Sequence, residues 1–430
     1  MKRILSTVLT LSVMLVSCIM TAGCEKNRGN GNGNEGEYGF TKSDAILAFD
    51  SFISNFFESR GQFARDTNMD GTTAVAWTQA TMFDMIINAY KLTDDQKYMD
   101  LLNKHFEGCK NTFTFDWYDY SHWDLYDDMM WWVGALARAY QLTGNEEFLS
   151  VSEEGFKRVW YGKESNFDGT GWHPLDQLGS YAGDDDPNQV IDFITNIDGK
   201  PVGEPAEYKS DCVKAMYWDW KFDRTGKMSC VHFPTMIAAI ELYHCTGDEE
   251  YLNKAKTLYE YGSTKLFNKE TGAIADSMHD ENASADWRTL VYNQATAMAA
   301  FAMLYLETSE QEYLDNAVKA MDYIVREKST AHDILKPEGS TDQTNLTDEK
   351  GIYNAILATY IPVIIEDCGQ TQYTEFIANS IKEGWGNRDS RNLTNKLLEN
   401  RLNSSQAVSA YTASGVPALM LSFPGLKNTK

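Results

Sequence analysis

Residues 240–252 read IELYHCTGDEEYL, and the chain repeats this stretch. Tyr243, Thr246, Tyr251 and Leu252 share their spacing with Tyr90, Thr93, Tyr98 and Met99. The same offsets recur at Tyr140, Thr143, Phe148 and Leu149, and at Tyr305, Thr308, Tyr313 and Leu314. A worn fifth copy is Ile365, Cys368, Gly369 and Tyr373. Each copy ends an apolar helix, turns through Thr-Gly-Asp-type residues and opens a second helix. Thr or the following Asp can cap that second helix, and Glu249-Glu250 suit its positive end. A unit recurring at intervals of about fifty residues or more signals stacked helical hairpins.

Outward from these junctions, 3.6-residue periodicity predicts helices near 43–60, 73–91, 95–110, 127–142, 146–161, 230–245, 249–263, 291–307, 311–327, 350–367, 371–385 and 405–422. The first helix of several pairs is apolar and rich in small residues, as in ATAMAAFAMLYL, which suits an inner ring packed on both sides. The second helices, such as EEYLNKAKTLYEY, carry charge on one face and suit an outer ring. The expected fold is all-α, a single (α/α)6 barrel over 41–430, with a cleft at one end. Residues 163–228 interrupt the rhythm with Trp172, His173, Asp184-Asp185-Asp186, Trp218 and Trp220. So long an insertion is expected to wall the cleft.

The N-terminus reads as a targeting segment. Lys2 and Arg3 precede a largely apolar, uncharged run from Ile4 to Met20, and TAGC ends at Cys24. This resembles a bacterial lipoprotein signal over residues 1–23, with Cys24 lipidated and Cys18 as a competing site. Residues 24–40 follow as a Gly/Asn-rich tether. The expectation is a monomer hung by lipid from the bacterial cell envelope, at the outer membrane or cell surface. The net charge of −24 sets nucleic acid and anionic membranes aside as partners, while a neutral polysaccharide is indifferent to it. Beyond Cys18 and Cys24 an odd five cysteines remain (Cys109, Cys212, Cys230, Cys245 and Cys368), with no CxxC. Cys230 and Cys245 lie on one predicted helix about 22 Å apart. Buried free thiols are expected rather than disulfides or zinc.

The chemistry concentrates in FTFDWYDYSHWDLYDDMMWW, residues 113–132, where nine of twenty residues are aromatic and five are Asp. Rings stack on sugar faces, and carboxylates do acid, base and nucleophile work at glycosidic bonds. Adjacent α-carbons are about 3.8 Å apart, so the carboxyls of Asp127 and Asp128 can reach the ~5 Å separation of a retaining glycosidase. The plainer alternative is that two acids simply suit a helix N-terminus. Trp123, Tyr126, Trp131 and Trp132 flank the pair.

YDDMMWWVGALARAYQLTGNEEFL resembles the signature of glycoside hydrolase family 76, the endo-α-1,6-mannanases. MSCVHFPTMIAAIELYHCTGDEEYLNKA, VYNQATAMAAFAMLYLETSEQEYLDNA and EKGIYNAILATYIPVII resemble its later hairpins, the last carrying Lys350-Gly351. The resemblance implies an (α/α)6 barrel, retaining cleavage of an α-1,6-mannan backbone and no cofactor. It places the nucleophile on Asp127 and the acid/base on Asp128. It also sets Asn293-Gln294 where the family often has Asn followed by Gln-Gly, and GTGWHP (169–174) where it often has a Gly-Gly-Trp-like stretch. MSCVHFP departs from the family's usual Asn-bearing helix start. Trp77 and Trp172 are candidates to stack on sugars, and His122 and His173 to bond hydroxyls. Asp66, Asn68, Asp70 and Gly71 open like a calcium loop, but Trp77 stands at position twelve, so an Asx turn is the better reading. The Asp184, Asp186 and Asn188 spacing fails likewise, and no metal is expected. Two rival functions remain open on the same fold: a transglycosidase of cell-wall glycans and a non-catalytic glycan-binding lipoprotein.

Overall fold

Thr93, Thr143, Thr246 and Thr308 do the same local work at four helix ends. Each hydroxyl donates to the carbonyl four residues back, on Ala89, Ala139, Leu242 and Leu304. Each also accepts the backbone N–H two residues on. The intervening residues, Asp94, Gly144, Gly247 and Ser309, are left-handed, and their N–H groups return to the carbonyls of Tyr90, Tyr140, Tyr243 and Tyr305. Asp95 and Asp248 then cap the next helix through their side chains. The Thr therefore closes the first helix, and the capping of the second falls to the residue two places later.

The computed structural model describes residues 36–119, 121–123, 125–161, 181–182, 215–216, 227–278 and 285–426. Gly36–Lys430 forms one compact unit. The helices are α1 (Lys42–Phe56), α2 (Ala76–Thr93), α3 (Gln96–Phe113), α4 (Tyr126–Thr143), α5 (Glu146–Tyr161), α6 (Ser229–Thr246) and α7 (Glu249–Tyr261). They continue as α8 (Val291–Thr308), α9 (Gln311–Glu327), α10 (Tyr353–Pro362), α11 (Thr374–Gly386), α12 (Ala410–Ala413) and α13 (Gly415–Ser422). The helix expected over 405–422 is shorter and broken at Ser414, and the one expected to reach residue 60 ends at Phe56. Pro362 has no N–H for the carbonyl of Ala358, and the helix runs on from there as a π-turn over Val363–Asp367.

Helices α2, α4, α6, α8, α10 and α13 touch in that order, and α13 closes onto α2. This is the inner ring of the expected (α/α)6 barrel. Outer helices α3, α5, α7 and α9 each pack on the inner helix that precedes them, while α11 and α1 lie against α13. The sixth hairpin thus joins the two ends of the unit. Inner helices are buried almost all round; α8 is buried from Asn293 to Leu304. Outer helices show one buried stripe, as in α9. Two-residue ladders pair Tyr181–Ala182 with Ala215–Met216 and Lys227–Met228 with Ser277–Met278. No helix among the described residues is long and apolar enough to cross a membrane.

At the carboxyl ends of the inner helices, Arg138 is held bidentately by Asp84 (2.9 and 2.7 Å), with Glu241 3.6 Å from its other nitrogen. That cluster ties α2, α4 and α6 together. The amino ends meet at the opposite mouth.

Candidate active site

The second residue of five inner segments faces this mouth region: Trp77 of α2, Asp127 of α4, Cys230 of α6, Tyr292 of α8 and Tyr411 of α12. Tyr353, the first residue of α10, completes the circle. Asp127 and Asp128 occupy the first turn of α4, both half-buried, and the N-cap Leu125 offers no side-chain cap. The positive end of α4 therefore acts on the two acids directly.

The surroundings of Asp127 are aromatic and sulfur-bearing. The Cys230 thiol is buried nearby, within electrostatic reach of Asp127 and Tyr292. Burial, then the charge of Asp127, pushes that thiol well above its ordinary range. Trp131 lies one turn below Asp127, with its ring 6.1 Å from Trp77 and 6.2 Å from Tyr292. Tyr292 and Tyr353 sit 4.3 Å apart. Desolvation, then the charges of Glu338, Cys230, Glu349 and Asp127, raise the Tyr353 hydroxyl above its usual value. The mouth is thus floored by rings around a carboxylate.

Two further carboxylates border it. Glu349 accepts the Trp77 indole N–H at 2.7 Å, and partial burial raises its carboxyl. Asp276 is buried, bonded by Arg288 and by Asn293 Nδ2 at 3.3 Å. Gly351 explains the Lys350-Gly351 signature: a Cβ there would stand 2.8 Å from the Tyr411 carbonyl carbon and 2.9 Å from the Thr412 nitrogen. The glycine lets the short 349–352 helix sit directly on α12 and brings Glu349 to the rim.

The other sequence candidates divide. Trp77 and Trp131 meet at the mouth. Trp123 is buried, donating to the Thr114 carbonyl at 3.0 Å and packing on Phe115 and Trp117. Tyr126 is fully buried, 5.7 Å from the Arg158 guanidinium. Gln294 is buried, its amide clamping the backbone of Gly272, Ile274 and Ala320. These three occupy packing positions behind the site, and Asn293 reaches it only through Asp276. His122 packs edge-on to Phe113, 5.8 Å between centroids. Trp172, His173, Cys24, the signal segment and the expected tether up to residue 35 lie outside the described residues, whereas at 36–40 the expected tether is already part of the fold, with Tyr38 and the buried Phe40 packed on Phe423. Asp66 accepts the Asn68 N–H and Asp70 the Thr72 N–H, the geometry of Asx turns. Cys109, Cys230, Cys245 and Cys368 are free thiols.

The profile of glycosyl hydrolase family 76 matches residues 41–172 and 211–419. The chain belongs to this family. As a family 76 member it is a glycoside hydrolase, and the Asp pair stands in the first turn of α4, at the amino end of the inner ring. Its fold matches an alpha-1,6-mannanase from Salegentibacter sp. HEL1_6 with a TM-score of 0.67 at 22% identity, over 89% of this chain and 98% of that one. An inactive variant of that mannanase, with two neighbouring aspartates replaced by asparagine and alpha-1,6-mannotriose bound, matches at 0.69 and 21% identity, over 90% and 99%. A family 76 mannosidase from Bacteroides thetaiotaomicron VPI-5482 matches at 0.66 and 16% identity, over 90% and 98%. Comparison with curated protein sequences found no match.

Proposed function

We propose that this family 76 hydrolase cleaves an α-mannan, within an α-1,6-linked backbone and with retention of configuration. The observation that carries the reading is the pair Asp127-Asp128 in the first turn of α4, at the aromatic mouth of the ring. The alpha-1,6-mannotriose bound to the double-aspartate variant of the Salegentibacter enzyme supports the substrate class.

Asp127 acts as nucleophile. One of its oxygens forms a bond to the anomeric carbon as the glycosidic C–O bond breaks, and Asp128 gives its proton to the departing oxygen. Water then attacks the same carbon, Asp128 takes the water's proton, and the Asp127 ester bond breaks. Two carboxyls on consecutive residues can reach the roughly 5–5.5 Å separation that this double displacement uses. The N-terminal dipole of α4 favours the carboxylate that must attack. Trp77 offers a face for a pyranose ring, with Trp131 packed behind it, and Glu349 offers an acceptor for a hydroxyl. Residues 1–23 then serve as a lipoprotein signal and Cys24 as the anchor holding a monomer at the cell envelope.

The test is product release from linear α-1,6-mannan by the wild type, Asp127→Asn and Asp128→Asn. Each variant is expected to lose about 10²–10⁴-fold or more in kcat. The first anomer seen by proton NMR should be α. A β first product, or full activity in either variant, overturns the assignment.

A further inference from the structure

We propose that a cleft beside Trp287, on the flank of the α8–α9 hairpin, is a second carbohydrate-binding site that holds a remote stretch of the polysaccharide. The inference rests on the reading of the substrate as a neutral mannan. The cleft is about 550 Å³ and is lined in part by Asn268, Glu270, Trp287, Tyr323, Arg326 and Glu327.

Trp287 is 44% exposed, the only exposed tryptophan among the described residues. A lone exposed ring is ordinary on a protein surface. Here the backbone that carries it is held on both sides. Asp286 exchanges backbone hydrogen bonds with Asp276 and Ser277 at 2.7 and 2.8 Å. Arg288 reaches inward to Asp276 at the catalytic mouth. The segment that presents Trp287 outward is therefore the one that braces the active site.

The opposite wall is equally fixed. The Tyr323 hydroxyl lies 3.2 Å from Thr289 Oγ1. The Arg326 guanidinium lies 5.3 Å from the Tyr323 ring and donates to the Thr271 carbonyl at 2.7 Å. A flat indole, a second ring and a mixed rim of carboxylate, amide and guanidinium form the chemistry that takes a pyranose: ring face on ring face, hydroxyls to the rim. Glu270 and Glu327 on that rim, in a chain of net charge −24, disfavour an anionic glycan.

The experiment uses electrophoresis of the full chain through gels containing linear α-1,6-mannan, with wild type, Trp287→Ala and Trp287→Tyr, each also on an Asp127→Asn/Asp128→Asn background so that turnover does not erode the ligand. Trp287→Ala is expected to weaken retardation and raise KM on the polymer by about two- to tenfold, the range of one aromatic contact. Its kcat/KM on a mannotriose-sized substrate should stay unchanged, and Trp287→Tyr should recover most of the retardation. Equal retardation of all three overturns the second site. A polymer defect matched by an equal defect on the short substrate overturns it as well, since the ring would then serve the catalytic groove. Failure of the wild type to cleave any α-1,6-mannan defeats the substrate reading instead, and the two outcomes read separately.

Discussion

The indole nitrogen of Trp77 donates to Glu349 at 2.7 Å, joining the first inner helix to a short helix 272 positions later in the chain. The pair closes one side of the proposed active-site mouth. Burial raises the Glu349 carboxyl, and the indole bond works against that rise. Trp77→Phe keeps a stacking ring and removes the donor. On α-1,6-mannan it is expected to raise KM by about three- to tenfold, the value of roughly 1 kcal/mol of lost orientation, with kcat changed little. Steady-state kinetics on the polymer checks this, and a fall in kcat with KM unchanged contradicts it.

Cys230 supplies the second prediction. Its thiol is buried near Asp127 and Tyr292. A donor facing a carboxylate favours the ionised form. Cys230→Ala is therefore expected to move the acid limb of kcat/KM to higher pH, and Cys230→Ser, a stronger donor, to lower pH, each by roughly 0.5–1 unit. Superimposable profiles for all three proteins would remove Cys230 from the machinery around Asp127.

Cys230 also shows what sequence reading could and could not reach. The ring was legible because each hairpin junction is local chemistry: a Thr, a left-handed residue and a cap within a few positions. The Asp pair could be singled out as a candidate because its residues are adjacent. Cys230, Asp276, Tyr292 and the Glu349–Tyr353 segment lie far apart in the chain, and ring closure brings them together. A usable signal existed, since most of these residues stand at or within a residue or two of an inner helix start. Trp123 and Gln294 failed as site candidates for the converse reason. They neighbour the candidate residues in sequence, but the loop before α4 packs Trp123 on Phe115 and Trp117, and α8 turns Gln294 to the core side.

Arg138 gives a stability prediction at the far end of the barrel. Its guanidinium neutralises Asp84 and approaches Glu241 in a cluster that is about nine-tenths buried. Burial raises the Asp84 carboxyl even with Arg138 beside it. Removing the cation leaves two acids facing each other. Arg138→Ala is expected to lose about 3–5 kcal/mol, measured by urea denaturation. Asp84→Asn in the same background should recover part of the loss, because the double variant no longer buries the uncompensated Asp84 charge.

His232 makes stability depend on pH with a definite sign. It is fully buried against the Leu258 carbonyl at 2.8 Å, and desolvation lowers it from 6.5 to about 4. The folded protein therefore resists the proton that the unfolded chain takes up near pH 6.5. Above that value the contribution is fully present; as pH falls toward 4 it is lost, by up to about 3 kcal/mol. Gly262 faces the same ring, 3.0 Å from its Nε2 to an ideal Cβ, so the pocket has no room to swing the imidazole toward water. His232→Gln keeps a donor for Leu258 without a titrating ring. Its unfolding free energy should change less between pH 6.5 and 4 than that of the wild type. Because the chain's carboxylates titrate alike in both proteins, the difference between the two slopes isolates the imidazole, and parallel slopes would mean that His232 accepts its proton in the folded state as readily as in the unfolded one.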